Sequence, residues 1–306
     1  YYFKFTMLDL IIIGGSAAAT SAGIYAARRG LNFKIVTKDF GGEVATSGEV
    51  DNYPGIPGTN GIDLADKFKK HLANYRVEPE EGVEVKKITR QADGTFIINA
   101  AKEGQSIEYA ARAVIIATGV HPKELNIPGE KEFRNKGVSY CTVCDGPVFG
   151  GKTVAIVGGG NSALEAGLMM ADIASKVYML NKNPEFKGDT ILLDNLKTKK
   201  NVEFVYGAKT SEVIGNKFAT ALKYKKEDGI EHEVQAEGIF VHIGMLPNSG
   251  IVPEDVQKNN YGEIIVDKNC QTSVPGLYAA GDVTDVPFKQ IVIAAGQGTI
   301  ALLSSV

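Results

Sequence analysis

Thr153-Val154-Ala155-Ile156-Val157-Gly158-Gly159-Gly160-Asn161-Ser162-Ala163 is the stretch whose reading decides the fold. Its first five residues carry no charge and read as a buried parallel strand, since such strands are covered on both faces. Three glycines then turn the chain, and a helix follows from about Ser162 to Ile173. Gly158, Gly160 and Ala163 fit the GxGxxA spacing, which sets backbone N–H groups and a helix N-terminus against a pyrophosphate. Lys176-Val177-Tyr178-Met179-Leu180 supplies the next strand and completes a βαβ unit.

The same plan stands at the start of the chain. Leu8 to Ile13 reads as a buried strand, Ala17 to Arg29 as a helix stopped by Gly30, and Phe33 to Thr37 as a second strand. The turn between them, Gly14-Gly15-Ser16-Ala17-Ala18-Ala19, keeps only the opening glycine of GxGxxG. Ser16 and Ala19 are small, so phosphate approach is expected to survive at some steric cost. Beyond Gly41-Gly42 come an amphipathic helix near Ile62 to Tyr75, a meander of strands over Val83 to Ile107, and a buried strand ending at Ala117-Thr118-Gly119. After the second βαβ unit, strand pattern returns at Val202 to Tyr206 and Ile239 to Ile243. Gly276 to Asp282 and a helix beginning near Gln290 follow.

The expected fold is α/β, with two Rossmann-like dinucleotide-binding domains (three-layer ββα), the second inserted into the first. Residues 1–118 and 246–306 form one domain, 119–245 the other, with hinges near Gly119 to Pro122 and Gly244 to Pro247. Either glycine turn alone is a weak signal, because such a turn can serve packing only. Two in strand–turn–helix context point to two dinucleotides, a flavin and a nicotinamide.

Composition narrows the class. Lys and Arg number 33 against 36 Asp and Glu, a net charge of −3, so no basic field exists to hold nucleic acid or an anionic membrane surface. Leu10 to Ala27 carries no charge and approaches the length of a membrane span. Its Gly14-Gly15-Ser16 break makes it strand, turn and helix. Three cysteines and no signal-peptide pattern suggest a cytoplasmic protein. Tyr1 to Thr6 precede Met7, so these residues are either native or an extension.

Cys141-Thr142-Val143-Cys144-Asp145 is the sharpest chemical feature. A CxxC pair cycles between dithiol and disulfide, and a neighbouring carboxylate moves protons to or from a thiolate. A zinc half-site or a structural pair is the alternative. Zinc needs about two further ligands, and the sequence offers only distant Cys270 and four scattered histidines, so no metal centre is expected. His71, His121, His232 and His242 form no catalytic constellation and are expected at the surface or in packing.

Cys141 to Asp145, Gly158 to Ala163, Ala117-Thr118-Gly119 and Ala280-Gly281-Asp282 together resemble the low-molecular-weight thioredoxin reductase family. The segments Gly41-Gly42-Glu43 and Glu49-Val50-Asp51-Asn52-Tyr53-Pro54-Gly55 resemble that family's flavin-facing loop. The likeness runs from about Met7 to the end in the right order. Within the family it is nearest the reductase portion of the alkyl hydroperoxide reductase flavoprotein subunit, through Asn183-Pro184-Glu185-Phe186-Lys187 and Lys289-Gln290-Ile291. The thioredoxin-like domains of that flavoprotein are not in this sequence, so electrons are expected to pass to a separate thioredoxin- or glutaredoxin-like protein.

The resemblance implies a homodimeric FAD enzyme. Gly14, Ser16, Ala17 and Ala18 would take the pyrophosphate; Thr37, Lys38, Gly41, Gly42 and Glu43 would serve the adenosine side and the approach to the flavin, with Val85 in the same set. Asn52, Thr118, Gly119, Gly281, Asp282, Lys289, Gln290 and Ile291 would touch the ribityl chain or the ring. Cys144 would face the flavin, Cys141 would exchange with the protein substrate, and Asp145 would be the acid. The nicotinamide dinucleotide would lie on Gly158, Gly160, Asn161, Ser162 and Ala163, with Lys182 and Lys187 beside it.

Three departures from the pattern matter. NADPH-using relatives carry arginines where this chain has Asn181-Lys182-Asn183 and Lys187. Lysine lacks the bidentate fork that suits a 2′-phosphate. The usual acidic partner of an NAD ribose is also missing. NADH is therefore favoured over NADPH, with a ferredoxin-type donor or a non-catalytic flavin-bound regulator as alternatives. Glu43 replaces the glutamine many relatives place beside the flavin.

Overall fold

A computed structural model describes residues 7–47 and 49–306. The nature of residues 1–6, and Gly48 within the flavin-facing loop, lie outside the described residues. The chain divides into two units, 1–121 with 246–306, and 122–245.

The first unit begins with β1 (Leu8–Ile13), α1 (Ala17–Arg28) and β2 (Phe33–Val36). Then come a four-residue helix α2 (Glu43–Thr46), the short pair β3 (Glu49–Val50) and β4 (Thr59–Asn60), and α3 (Gly61–Asn74), capped by Asn60. Three strands follow, β5 (Val83–Arg90), β6 (Phe96–Lys102) and β7 (Gln105–Ile116), and the chain leaves through β8 (Val120–Pro122). Here the structure revises the sequence reading. The meander expected to end at Ile107 and the buried strand from Ala113 are one strand. Its first half pairs antiparallel with β6, and from Ala111 onward it pairs parallel with β1.

The second unit contains β9 (Val138–Ser139), α4 (Thr142–Asp145), β10 (Thr153–Val157), α5 (Asn161–Ile173), β11 (Lys176–Asn181), α6 (Thr190–Lys197) and β12 (Val202–Tyr206). After these run β13 (Lys209–Gly215), β14 (Ala219–Lys225), β15 (Glu231–Gln235) and β16 (Gly238–Val241). The order β12-β11-β10-β16-β9 forms a wholly parallel sheet, and β13-β14-β15 an antiparallel one. The expected strand Ile239 to Ile243 stops at Val241.

The chain returns through β17 (Met245–Pro247) to β18 (Leu277–Ala279), which pairs parallel with β7, and to α7 (Ile291–Ser305), with Gln290 as its N-cap. Alternation along the central strands builds both layers. Ile11 and Ile13 face one apolar cluster with Val114 and Ile116, while Leu10 and Ile12 face the other with α1. In the second unit Val154 and Ile156 pack toward α5, and Ala155 and Val157 toward the antiparallel sheet. Side-chain period two on a sheet covered on both faces explains why these strands read as unbroken apolar runs. The described residues include no helix long and apolar enough to cross a membrane.

Candidate functional site

In the first unit the predicted residues gather where parallel strands end. Gly14 follows β1, Thr37 and Lys38 follow β2, Thr118 and Gly119 follow β7, and Gly281 and Asp282 follow β18. Open α/β sheets bind ligands at this carboxyl edge. Gly14 has φ +134°, and a Cβ there would lie 2.0 Å from Ala117 O. A Cβ on Gly15 would lie 2.7 Å from Thr37 Oγ1. Both glycines are therefore required by the closeness of neighbouring strands. The third position is different: the corresponding Gly160 of the second unit has nothing within 4 Å. Ser16 holds the equivalent place in the first unit, as the N-cap of α1.

Gly41 donates its N–H to Gly15 O at 2.7 Å, and Gly42 is the N-cap of α2, whose first residue is Glu43. Ala17 and Ala18 are buried in α1, and Gly298 of α7 crosses so closely that a Cβ would meet Ala18 O at 2.1 Å. Asn52 donates from Nδ2 to Gln290 Oε1 at 3.3 Å, and Ile291 opens α7. Lys289 bonds Thr284 O at 2.6 Å and pairs with Glu263 at 2.9 Å, so its ammonium anchors the loop before α7. Val85 sits apart on β5 with its side chain half-buried against the core. Two residues earlier on the same strand, Val83 N–H donates to Thr37 O at 3.0 Å.

Asp282 is the electrostatic centre of this group. Its Oδ1 is buried without a hydrogen-bond partner, and burial pushes the carboxyl from 3.8 up to about 6, against the pull of Lys289 and helped by Glu43. A buried acceptor left unpaired is costly unless a ligand donor meets it. Sequence reasoning missed Gln297, which positions this loop: its Oε1 accepts Gly281 N–H at 2.8 Å. The strand-end crevice, the small residues of the turn and the orphaned Asp282 oxygen fit a dinucleotide with a polyhydroxyl chain.

The second unit repeats the construction. Gly158 has φ +151°, and a Cβ there would lie 2.2 Å from His242 O, just beyond β16. A Cβ on Gly159 would meet Asn181, the last residue of β11, at 2.7 Å. Asn161 and Ser162 are exposed at the start of α5 and Ala163 is buried. Asn161 exchanges hydrogen bonds with Asp189, and Lys187 N–H donates to Gly159 O at 2.7 Å, folding the following loop against the turn. Asn181 is buried and its amide is used locally, Nδ2 to Glu185 O at 2.6 Å and Oδ1 from Asn183 N–H at 3.2 Å. Lys182 and Lys187 are exposed.

Cys141 and Cys144 form a disulfide, Cα to Cα 5.3 Å, at the start of α4. Cys144 N–H points at Cys141 Sγ at 3.2 Å. Ser139, which the sequence did not single out, bridges both ends of this turn. Its hydroxyl is 2.5 Å from Asp145 Oδ2 and accepts Cys141 N–H at 3.1 Å. Tyr140 donates to Glu130 at 2.8 Å; that wholly buried carboxylate also accepts the N–H groups of Leu125 and Asn126. On the inner side, Thr142 Oγ1 lies 2.6 Å from His242 Nε2. His242, given no part in chemistry by the sequence reading, is thus joined to the redox turn from 100 residues away. Val143 is exposed between the cysteines. Cys270 is a buried free thiol, pushed up to about 11 by burial.

The sequence profile described as pyridine nucleotide-disulphide oxidoreductase matches residues 8–298. The F component of alkyl hydroperoxide reductase from Escherichia coli (strain K12) is 41% identical, covering 97% of this chain and 57% of that protein. A protein named NADH dehydrogenase from Bacillus subtilis (strain 168) is 38% identical over 97% of this chain and 58% of its own length. The chain therefore spans just over half the length of these curated relatives. The crystal structure of thioredoxin reductase from Streptococcus pyogenes MGAS5005 superposes with a TM-score of 0.90 at 33% identity, covering 98% of this chain and 97% of that one.

Proposed function

The chain belongs to the pyridine nucleotide-disulphide oxidoreductase family, whose members are flavoproteins that use FAD and a pyridine nucleotide, and from that premise we propose that it is an NADH-dependent reductase of a thioredoxin- or glutaredoxin-like protein. The observation that carries this reading is the Cys141–Cys144 disulfide on a short turn beside Asp145, in a chain with two glycine-turn units. FAD would be held in the first unit by the turn at Gly14 to Ala18, by Thr37 to Glu43, and by Asn52, Thr118, Gly119, Asp282 and the start of α7. When bound, it supplies two-electron transfer between a dihydronicotinamide and a disulfide.

The chain's own residues do the rest. Gly158 to Ala163 bind the dinucleotide pyrophosphate at the start of α5. Asn181, buried and used locally, leaves exposed Lys182 and Lys187 without the guanidinium fork a 2′-phosphate favours. That supports NADH. Opening the disulfide to one thiol and one thiolate consumes two electrons and one proton. The Cys144 N–H aimed at Cys141 Sγ favours negative charge on that sulfur, which supports Cys141 as the thiol that attacks the partner's disulfide. Ser139 holds Asp145 at the turn, where it hands a proton to the departing thiolate. We read the active form as a cytoplasmic homodimer.

Anaerobic titration with NADH, NADPH and dithionite tests the donor. NADH is expected to bleach the flavin at near-stoichiometric amounts; bleaching by dithionite alone would remove the nicotinamide from the reading. A Cys141→Ser form that still reduces a thioredoxin would overturn the exchange-thiol assignment.

A further inference from the structure

We propose that His242 is a positioning residue for the redox pair, acting through its hydrogen bond to the Thr142 hydroxyl. The inference rests on the redox role given to Cys141 and Cys144 above.

The pair is carried by α4, a single turn of four residues. Isolated helices shorter than about 12–15 residues are marginal in water, so the turn takes its orientation from its attachments. Ser139 ties its outer side, through Cys141 N–H and Asp145 Oδ2. Its inner side is tied by Thr142, 3% exposed, whose hydroxyl meets His242 Nε2 at 2.6 Å. His242 is itself fixed by the central sheet. Its N–H donates to Val157 O at 2.7 Å, and its carbonyl abuts Gly158, where a Cβ would come within 2.2 Å. One residue therefore touches both the glycine turn and the segment between the two cysteines.

Burial pushes the imidazole down to about 4, so the ring is neutral throughout the range in which thiols titrate, and the bond joins two uncharged groups. Its effect on the sulfurs is geometric. Thr142 lies next to Cys141 and two residues before Cys144, whose N–H points at Cys141 Sγ. When dithiothreitol opens the pair, the S–S bond breaks and two electrons enter, while the reagent is oxidised to its cyclic disulfide. Of the reagent's two protons, one is taken up by Cys144 and the other is released to solvent, leaving Cys141 as a thiolate that accepts the Cys144 N–H. Holding Thr142 in place keeps that N–H aimed.

The test uses the full chain, reduced with dithiothreitol, desalted without oxygen, and alkylated with iodoacetamide from about pH 5 to about pH 10, with labelled sites read by peptide mass. His242→Ala and Thr142→Val are expected to raise the pH midpoint of Cys141 alkylation by about one unit, slowing labelling near neutrality about tenfold. His242→Gln, which keeps a donor and an acceptor, is expected to restore most of the shift. The double variant His242→Ala/Thr142→Val is expected to shift no further than either single one, because both remove the same bond. Labelling of buried Cys270 reports unfolding independently. An unmoved midpoint in both single variants, or shifts that add in the double variant, overturns the role of His242 while the redox reading stands. A wild-type disulfide that dithiothreitol does not open overturns the redox reading and this inference with it.

Discussion

Replacing Asp282 by Asn is expected to change the pH dependence of stability by about 3 kcal/mol. Asp282 has a buried Oδ1 with no partner, and its carboxyl moves from 3.8 up to about 6, first through burial, with Lys289 opposing and Glu43 adding to it. A raised carboxyl binds its proton more tightly in the folded chain than in the unfolded one. Ionisation therefore destabilises the fold in full above about pH 6 and not at all well below 3.8. At about 1.4 kcal/mol per pH unit, the interval corresponds to about 3 kcal/mol, most of it lost as pH rises from about 4 to about 6. Asn is nearly isosteric and cannot ionise. Its own unpaired amide adds an offset that does not vary with pH, so the quantity to follow is the change in the difference. Urea unfolding of flavin-free wild type and Asp282→Asn, followed by far-ultraviolet circular dichroism from about pH 3.5 to about pH 8, measures it. The variant should gain on the wild type as pH rises, with a plateau near neutrality. The same variant should hold FAD about tenfold or more less tightly, having lost a charged acceptor. A stability difference that is flat with pH would show that Asp282 is not the strained group and would refute the reasoning.

Three other outcomes follow from the geometry. Gly14→Ala should destabilise by more than about 3 kcal/mol, because its Cβ would meet Ala117 O at 2.0 Å, whereas Gly160→Ala, with open space, should change stability by less than about 1 kcal/mol in thermal unfolding. Ser139→Ala should slow donor-driven reduction of a disulfide protein about tenfold and distort the acid limb of its pH profile, since Asp145 loses its 2.5 Å partner; an unchanged profile would count against Asp145 as the acid. Asn181→Asp should cost about 1–3 kcal/mol rather than create an NAD-ribose site, because a carboxylate there would face Glu185 O in place of the amide donor; improved NADH affinity would contradict this.

Much of this was legible in the sequence because the central strands are buried on both faces. Leu10 to Ile13 and Val154 to Val157 keep no polar alternation, and glycine must follow them where the next strand's carbonyl lies within 2.0–2.2 Å of a would-be Cβ. The CxxC was visible from spacing alone. Less visible were the strands over 209–235, in which Lys223 and Lys225 alternate with buried Leu222 and Tyr224 on a sheet with one wet face. Nor did the wholly buried Glu130 announce itself, since Gly129-Glu130-Lys131-Glu132 reads as a charged surface loop until three donors converge on one carboxylate. His242 and Thr142 lie 100 residues apart, a meeting set by strand order and not by local pattern. Ser139, six residues from Asp145, was within reach of sequence reasoning through its closeness to the cysteines alone.

The late arrival of β18 has a consequence for how the chain is made. β7 pairs with β1 on one side and with β18 on the other, and α1 packs against α7, yet β18 and α7 are synthesised only after the whole of 122–245. At roughly 5–20 residues per second, the interval is on the order of ten to thirty seconds. During that time the ribosome-bound chain presents Val114 to Ile116 as an open strand edge and Ala18, Ala22 and Ala26 without the helix that joins their cluster. The inserted unit, contiguous in sequence, has no such wait. Nascent-chain capture is therefore expected to find chaperones on the first unit's unfinished sheet while the inserted unit already resists protease.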